Sequence, residues 1–301
     1  MRRCLFGGDP RTPRGIVPLA GVLLLLSPIL TPPVAAAGRS HCGPPSTHVQ
    51  DLSSLSHGLS EASGLAGSWL HAGVGWMIRD SGHPPSIYSL RINKGRPVVR
   101  EVRVLGAENT DWEDIAYSRG ADGRGRLWIV ESMQSHRDPY IYEVLEPDPD
   151  HATTAPLLSR HRYQYPGGLG YQNTEASIWF DDHLILATKS SPTRLFRFAT
   201  LDGPGTHWPT YVGDLPGEPR ISMLRASPDH SALIASDHQS MAVYEGRGPG
   251  SHLEDFVGKW PAYGKVTFRG DNVEAGDFFP VGSCDVVMLA ESRRVYRILA
   301  H

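Results

Sequence analysis

The sequence predicts an all-β repeat fold, and three observations predict it. First, a short phrase recurs: Glu61-Ala62-Ser63-Gly64-Leu65, Glu113-Asp114-Ile115-Ala116, Glu175-Ala176-Ser177-Ile178-Trp179, a degenerate Leu224-Arg225-Ala226-Ser227-Pro228-Asp229, and Glu274-Ala275-Gly276-Asp277-Phe278. Its anchors lie 52, 62, 49 and 50 residues apart. Second, each phrase is followed by an apolar run with a polar end, such as Trp76 to Asp80, Trp128 to Glu131, Leu186 to Lys189, Leu233 to Asp237 and Met288 to Glu291. Third, an aromatic run comes next, as in Ile87-Tyr88-Ser89-Leu90 and Val295-Tyr296-Arg297-Ile298. The runs are short, β-branched and aromatic, and are bounded by Gly, Pro, Asp and Ser, which is strand-and-turn chemistry. A weaker fourth run, Val98 to Leu105, completes some units. A period near 50 built from short strands predicts a β-propeller of five four-stranded blades, with six as the alternative count.

Each element has its own reason. Residues 1–37 read as a cleaved signal peptide: Arg2, Arg3, Arg11 and Arg14 precede the apolar stretch Ile16 to Leu30, and Ala35-Ala36-Ala37 offers small residues for cleavage. The stretch is short for a membrane span and is broken by prolines. Residues 38–46 are a polar lead-in, and the repeat domain runs over 47–301. The last repeat has only three clear strands, so the mature N-terminus, around Thr47 to Leu55, is expected to supply the missing outer strand and close the ring. Once the leader is removed, two cysteines remain, Cys42 and Cys284. In an oxidising compartment they are expected to bridge and staple that closure. The expected location is therefore secreted or periplasmic.

The formal charge of −3 gives no basic footprint for nucleic acid. No helical His pair with metal spacing and no Gly-x-Ser-x-Gly elbow occurs, which leaves zinc-helix and classical serine-hydrolase chemistry without support.

Strand direction places the candidate site. If the recurrent Glu opens the first strand of each unit, the antiparallel second strand ends at the same edge. Glu61, Glu113, Glu175 and Glu274 then share a rim with Asp80, Glu131, Lys189, Asp237 and Glu291, and Asp111, Asp114 and Asp277 add to it. Arg137, Arg194 and Arg225 are candidate neighbouring cations. Convergent carboxylates need a proton or a cation, and Ca²⁺ suits flexible oxygen ligands. The expected metal ligands are Glu113, Asp114, Glu175 and Glu131. The expected catalytic set is Asp111, Glu113, Asp114, Glu131 and Lys189.

The segment Asn109-Thr110-Asp111-Trp112-Glu113-Asp114-Ile115-Ala116 resembles the Asp-Trp-Glu-Asp-Ile-Ala signature of secreted bacterial esterase-like or phytase-like β-propellers. Arg79-Asp80-Ser81-Gly82 and Tyr142-Glu143-Val144-Leu145-Glu146-Pro147 are similar to other segments of that family. Val130-Glu131-Ser132-Met133-Gln134-Ser135 departs from its Gly-Asp-Ile-Gly-Asp-Asn. The resemblance implies phosphoester or ester hydrolysis, here with Ca²⁺ as cofactor and a small anionic or ester substrate. The competing expectations are a non-enzymatic propeller that binds an extracellular ligand or protein, and a carboxylate-pair glycosidase. A monomer without nucleic-acid partner or stable membrane insertion is expected in each case.

Overall fold

The strands follow directly from the runs in the sequence. The computed structural model describes residues 42, 45–56, 58–132, 138–167, 169, 172–217, 220–263, 265–268 and 270–300. The signal expected over 1–37 and the candidate cation Arg137 lie outside these residues. After β1 (Pro45–Ser54) the chain forms β2 (Ala62–Gly67), β3 (Gly75–Arg79), β4 (Ser86–Asn93) and β5 (Arg96–Leu105). Next come β6 (Trp112–Arg119), β7 (Gly125–Glu131), β8 (Tyr140–Leu145) and β9 (Thr154–Tyr163). The third group is β10 (Thr174–Phe180), β11 (His183–Thr188), β12 (Thr193–Arg197), β13 (Thr206–His207) and β14 (Thr210–Leu215). The fourth is β15 (Met223–Ala226), β16 (Ala232–Asp237), β17 (Ser240–Glu245) and β18 (Val266–Thr267), and β19 (Val273–Phe278), β20 (Val286–Ala290) and β21 (Arg294–Ala300) end the chain. One compact unit spans Gly38–His301. Among the described residues no helix is long and apolar enough to cross a membrane.

Within each group, successive strands pair antiparallel as a meander. The β4–β5 turn shows how local chemistry fixes this. Asn93 faces Arg96, and the two residues between them, Lys94 (φ 50°) and Gly95 (φ 77°), both take the left-handed conformation of a type I′ hairpin turn.

The pairing between groups corrects the expected architecture. Five separate blades would leave the outer strands of neighbouring units unpaired. Instead β5 and β9 pair in parallel, Arg103 with Thr154, Val104 with Ala155 and Leu105 with Pro156. This joins the first two meanders into one nine-stranded sheet ordered β2-β3-β4-β5-β9-β8-β7-β6, with β13 beside β9. Its end strands β2 and β6 return to each other: Ser63 Oγ donates to the Glu113 carbonyl at 2.6 Å, so the sheet is nearly closed and barrel-like. Three separate four-stranded sheets make up the rest: β10-β11-β12-β14, β15-β16-β17-β18 and β1-β21-β20-β19. The propeller, with five or six blades and a ring closed by the N-terminus, is therefore replaced by one near-barrel sheet plus three small sheets. The physical cause is the length of β5 and β9. Each is a ten-residue strand whose free edge can pair beyond its own meander. The N-terminal strand β1 adds antiparallel to β21, with Val49 opposite Ile298.

The core lies between sheet faces. Trp76, Ile78, Trp112, Ile115 and Tyr142 are buried together, and Ala176, Phe180, Leu224 and Tyr244 form a second cluster. Each large apolar side chain so buried contributes about 1.5–3 kcal/mol.

At the centre, a charged residue rather than an apolar one joins the first strands of the groups. Arg225 on β15 is 4% exposed. Its Nη2 donates to Asp114 Oδ1 at 2.6 Å and its Nη1 to Asp114 Oδ2 at 2.8 Å. The same guanidinium donates to the carbonyls of Leu65 on β2, Ile115 on β6 and Ser177 on β10. Burial works to lower the Arg225 pKa, but the charge and hydrogen bonds of Asp114 raise it above its usual value. Close approach is possible because Gly64 has no side chain: a Cβ there would meet Asp114 Oδ1 at 2.7 Å and the Ile115 nitrogen at 2.8 Å.

Cys42 and Cys284 form the expected disulfide, with Cα atoms 5.3 Å apart and a sequence separation of 242. It ties the segment ahead of β1 to the loop between β19 and β20.

Two stability outcomes follow. Arg225→Met leaves Asp114 buried without its cation and should cost about 3–5 kcal/mol in denaturant unfolding; a loss below about 1 kcal/mol would show that the pair is not the central tie. Replacing both cysteines by alanine should cost about 2–5 kcal/mol, because the bridge closes a long loop. Unchanged unfolding of the double variant would refute that role for the bridge.

Candidate metal centre

A local irregularity in the strands builds the acidic edge. In three of the first strands the register shifts by one residue at the glutamate: between Trp112 and Asp114 on β6, Thr174 and Ala176 on β10, and Val273 and Ala275 on β19. Such a bulge leaves one residue unpaired and re-aims its side chain. The bulged residues are Glu113, Glu175 and Glu274. β2 has the same shift between Ala62 and Gly64, and there the bulged residue is Ser63. Glu61 sits two residues earlier, outside the strand at φ 60°, and its carboxylate meets His83.

Two groups of ligand atoms converge on this edge. Asp80, Asp111 and Glu113 each offer a carboxylate oxygen, all within 4.8 Å of one another. His238, Glu274 and Glu291 do the same with one imidazole nitrogen and two oxygens. Both groups can coordinate a divalent metal ion. In the first, Asp80 follows the end of β3, Asp111 precedes β6 and Glu113 occupies the bulge. In the second, His238 follows the end of β16, Glu274 occupies the β19 bulge and Glu291 follows β20. His238 Nδ1 lies 2.8 Å from Glu274 Oε1, without the alignment of a good hydrogen bond. Asn272 Nδ2 donates to Glu291 Oε2 at 3.1 Å.

The electrostatics show the strain of this arrangement. Burial pushes the Glu113 carboxyl well above its usual range, and repulsion from Glu175, Asp80 and Asp111 adds to this, against the pull of Lys189. Burial also raises Asp80, with Glu274 and Glu61 adding to it. Glu175 is raised by burial although Lys189 Nζ lies 3.0 Å from its Oε2. Burial raises Glu291 too, helped by Glu274. Glu274 alone is lowered: burial opposes this, but the His238 contact outweighs it. These mutual influences mark Asp80, Glu113, Glu175, Lys189 and Glu274 as members of one electrostatic neighbourhood.

The expected site residues divide accordingly. Asp111 and Glu113 converge with Asp80. Glu175 and Lys189 form an ion pair within their field. Asp114 sits below, with both oxygens held by Arg225 and further bonds from the backbone nitrogens of Ser177 at 2.6 Å and Ile115 at 2.8 Å. Glu131 lies apart. Its Oε2 accepts the Tyr140 N–H at 3.1 Å, and the residue lines a separate cavity of about 200 Å³ with Glu108, Asp138 and Tyr140. Neither Asp114 nor Glu131 belongs to a convergent group among the described residues. Asp237, expected on the rim, instead caps its own turn by accepting the Gln239 and Ser240 N–H groups. His238, one residue later, takes the rim position. The usable signal for it was its place one residue past an apolar run.

No protein-family model and no curated protein sequence matches this chain. With the near-barrel sheet, this overturns the resemblance to esterase-like or phytase-like propellers. The hydrolase function drawn from that resemblance goes with it, as do the propeller-based binding and glycosidase alternatives. The acid groups that remain carry no specificity for phosphoester chemistry.

A pH dependence follows from the raised carboxyls. A carboxyl whose folded pKa exceeds its unfolded value favours the fold below the unfolded pKa, and that contribution is lost as pH rises through the folded pKa. In EDTA, thermal stability should therefore fall as pH climbs above the ordinary glutamate range. Glu113→Gln should flatten that fall. A variant with the same pH slope as the parent would contradict the assignment.

Proposed function

We propose that this protein binds divalent cations along the strand-start edge, and that Ca²⁺ fills the group formed by Asp80, Asp111 and Glu113. The observation that carries this reading is the convergence of three carboxylate oxygens within 4.8 Å, with Glu113 held under burial and repulsion. Protonation relieves both costs but gives up the charge, whereas a bound cation offsets both while the carboxylates stay ionised. An all-oxygen set drawn from two loops and a bulge suits a hard cation with flexible coordination. The group of His238, Glu274 and Glu291 adds an imidazole, which suits borderline ions such as Zn²⁺ or Ni²⁺. Lys189 holds Glu175 and limits the charge left for ions at the first group. The Cys42–Cys284 bridge and the N-terminal Arg-rich apolar segment support action outside the cytoplasm.

Thermal unfolding in EDTA and then in added Ca²⁺ tests the reading. A ligand that binds only the folded state stabilises it, by about 2.7 kcal/mol at one hundred times its Kd. The melting temperature should rise with Ca²⁺, and Glu113→Gln should remove most of the rise. No shift with millimolar Ca²⁺, Mg²⁺ or Mn²⁺ would refute cation binding at this edge.

A further inference from the structure

The acidic edge occupies one end of the first strands, and a cavity lies at the other. It measures about 640 Å³ and is lined by the late residues of β2, β6, β10, β15 and β19, among them Gly67, Ser118, Trp179 and Asp277. A second cavity of about 440 Å³ adjoins it. The two share a wall made by Ser118, Arg119, Trp179 and Asp182. Volumes of this size are those of small-molecule sites.

Three features of this groove define its ligand. The first is aromatic surface. Trp69 stands at the lip of the larger cavity and is 57% exposed. Trp179, on the shared wall, is stacked on Trp128 with centroids 5.2 Å apart and planes 16° apart, so its position is fixed.

The second is an unspent pair of planar polar groups. Asp181 and Asp182 form the β10–β11 turn at φ 49° and 60°, a conformation that glycine or asparagine adopts at lower cost. Asp181 has a structural reason to be there, since its Oδ2 accepts the Leu253 N–H at 3.0 Å. The Asp182 carboxylate has no partner among the described residues. Arg119, which lines both cavities, donates its Nε to the Gly123 carbonyl at 3.2 Å.

The third is charge balance. Arg225 is spent on Asp114, and Asp277 accepts the backbone N–H groups of Gly67 and Phe278. The free charges on the shared wall are one carboxylate and one guanidinium.

We infer that this groove binds a short neutral oligosaccharide, laid across both cavities with a sugar ring against each of Trp69 and Trp179. A sugar ring offers an apolar C–H face to an aromatic plane. Its hydroxyls both donate and accept, which matches Asp182 as acceptor and Arg119 as donor. Two cavities sharing one wall suit a chain of rings rather than a single one. Neutral balance on that wall favours a sugar over a polyamine. The site is separate from the cation edge and does not depend on it.

Isothermal titration of the purified protein with maltotriose, cellotriose and triacetylchitotriose, with spermidine as the cationic comparison, tests the inference. One trisaccharide should bind with Kd at or below about 1 mM. Trp69→Ala and Asp182→Ala should each weaken it about tenfold or more. Both altered residues are exposed, and circular dichroism verifies that the variants fold. Silence of all three trisaccharides at about 10 mM, binding that survives both substitutions, or binding of spermidine alone would overturn it.

Discussion

The buried contact between Arg225 and Asp114 is the constraint on which the arrangement depends. Two charges in a nearly dry interior cost several kcal/mol each to desolvate, and only bidentate geometry with further hydrogen bonds offsets that cost. Here the offset is supplied by elements far apart in sequence. Carbonyls of Leu65, Ile115 and Ser177 receive the remaining guanidinium N–H groups, and amides of Ile115 and Ser177 serve the carboxylate. The pair is therefore satisfied only when β2, β6, β10 and β15 are all in place. Such a contact does little for raw stability compared with apolar replacement of both its members, but it specifies which strands meet and in what register.

That register then determines the surface chemistry on both sides of the knot. Asp114 follows the bulged Glu113 directly, so anchoring Asp114 below fixes the direction in which Glu113 leaves the strand. The bulges at Glu175 and Glu274 repeat the device on β10 and β19. Carboxylates are brought together where partial burial and mutual repulsion both oppose their ionisation, and cation binding is the physical remedy that keeps them charged. Past the knot, the same strands open into the Trp-lined groove. One fold thus presents an acidic edge at one end and an aromatic, charge-balanced groove at the other.

Much of the local structure was legible in the sequence. The apolar and aromatic runs became strands, β1 paired with β21, and Cys42 met Cys284. The repeated glutamate marked a real structural position in three groups, because a bulge tolerates a charged residue that a regular inward position would not. Alignment by residue type failed at the first group, where Ser63 rather than Glu61 occupies that position. Fold class failed for a different reason. A strand's period shows which face is buried but not which neighbour its free edge will choose, so the parallel pairing of β5 with β9 left no trace in the pattern. Asp114 looked like a site carboxylate because its partner, Arg225, lies 111 residues away. Glu131 stood at the right strand end but faces a separate cavity. His238 was passed over because its place one residue past an apolar run does not show which distant carboxylates it meets.

The most direct test of the account is anomalous diffraction from crystals of the protein grown with Mn²⁺, which stands in for either class of ion. One peak is expected among Asp80, Asp111 and Glu113 and a second among His238, Glu274 and Glu291. Absence of both peaks at full crystal order, or peaks elsewhere on the surface, would contradict it and leave the bulged glutamates as features of the strands alone.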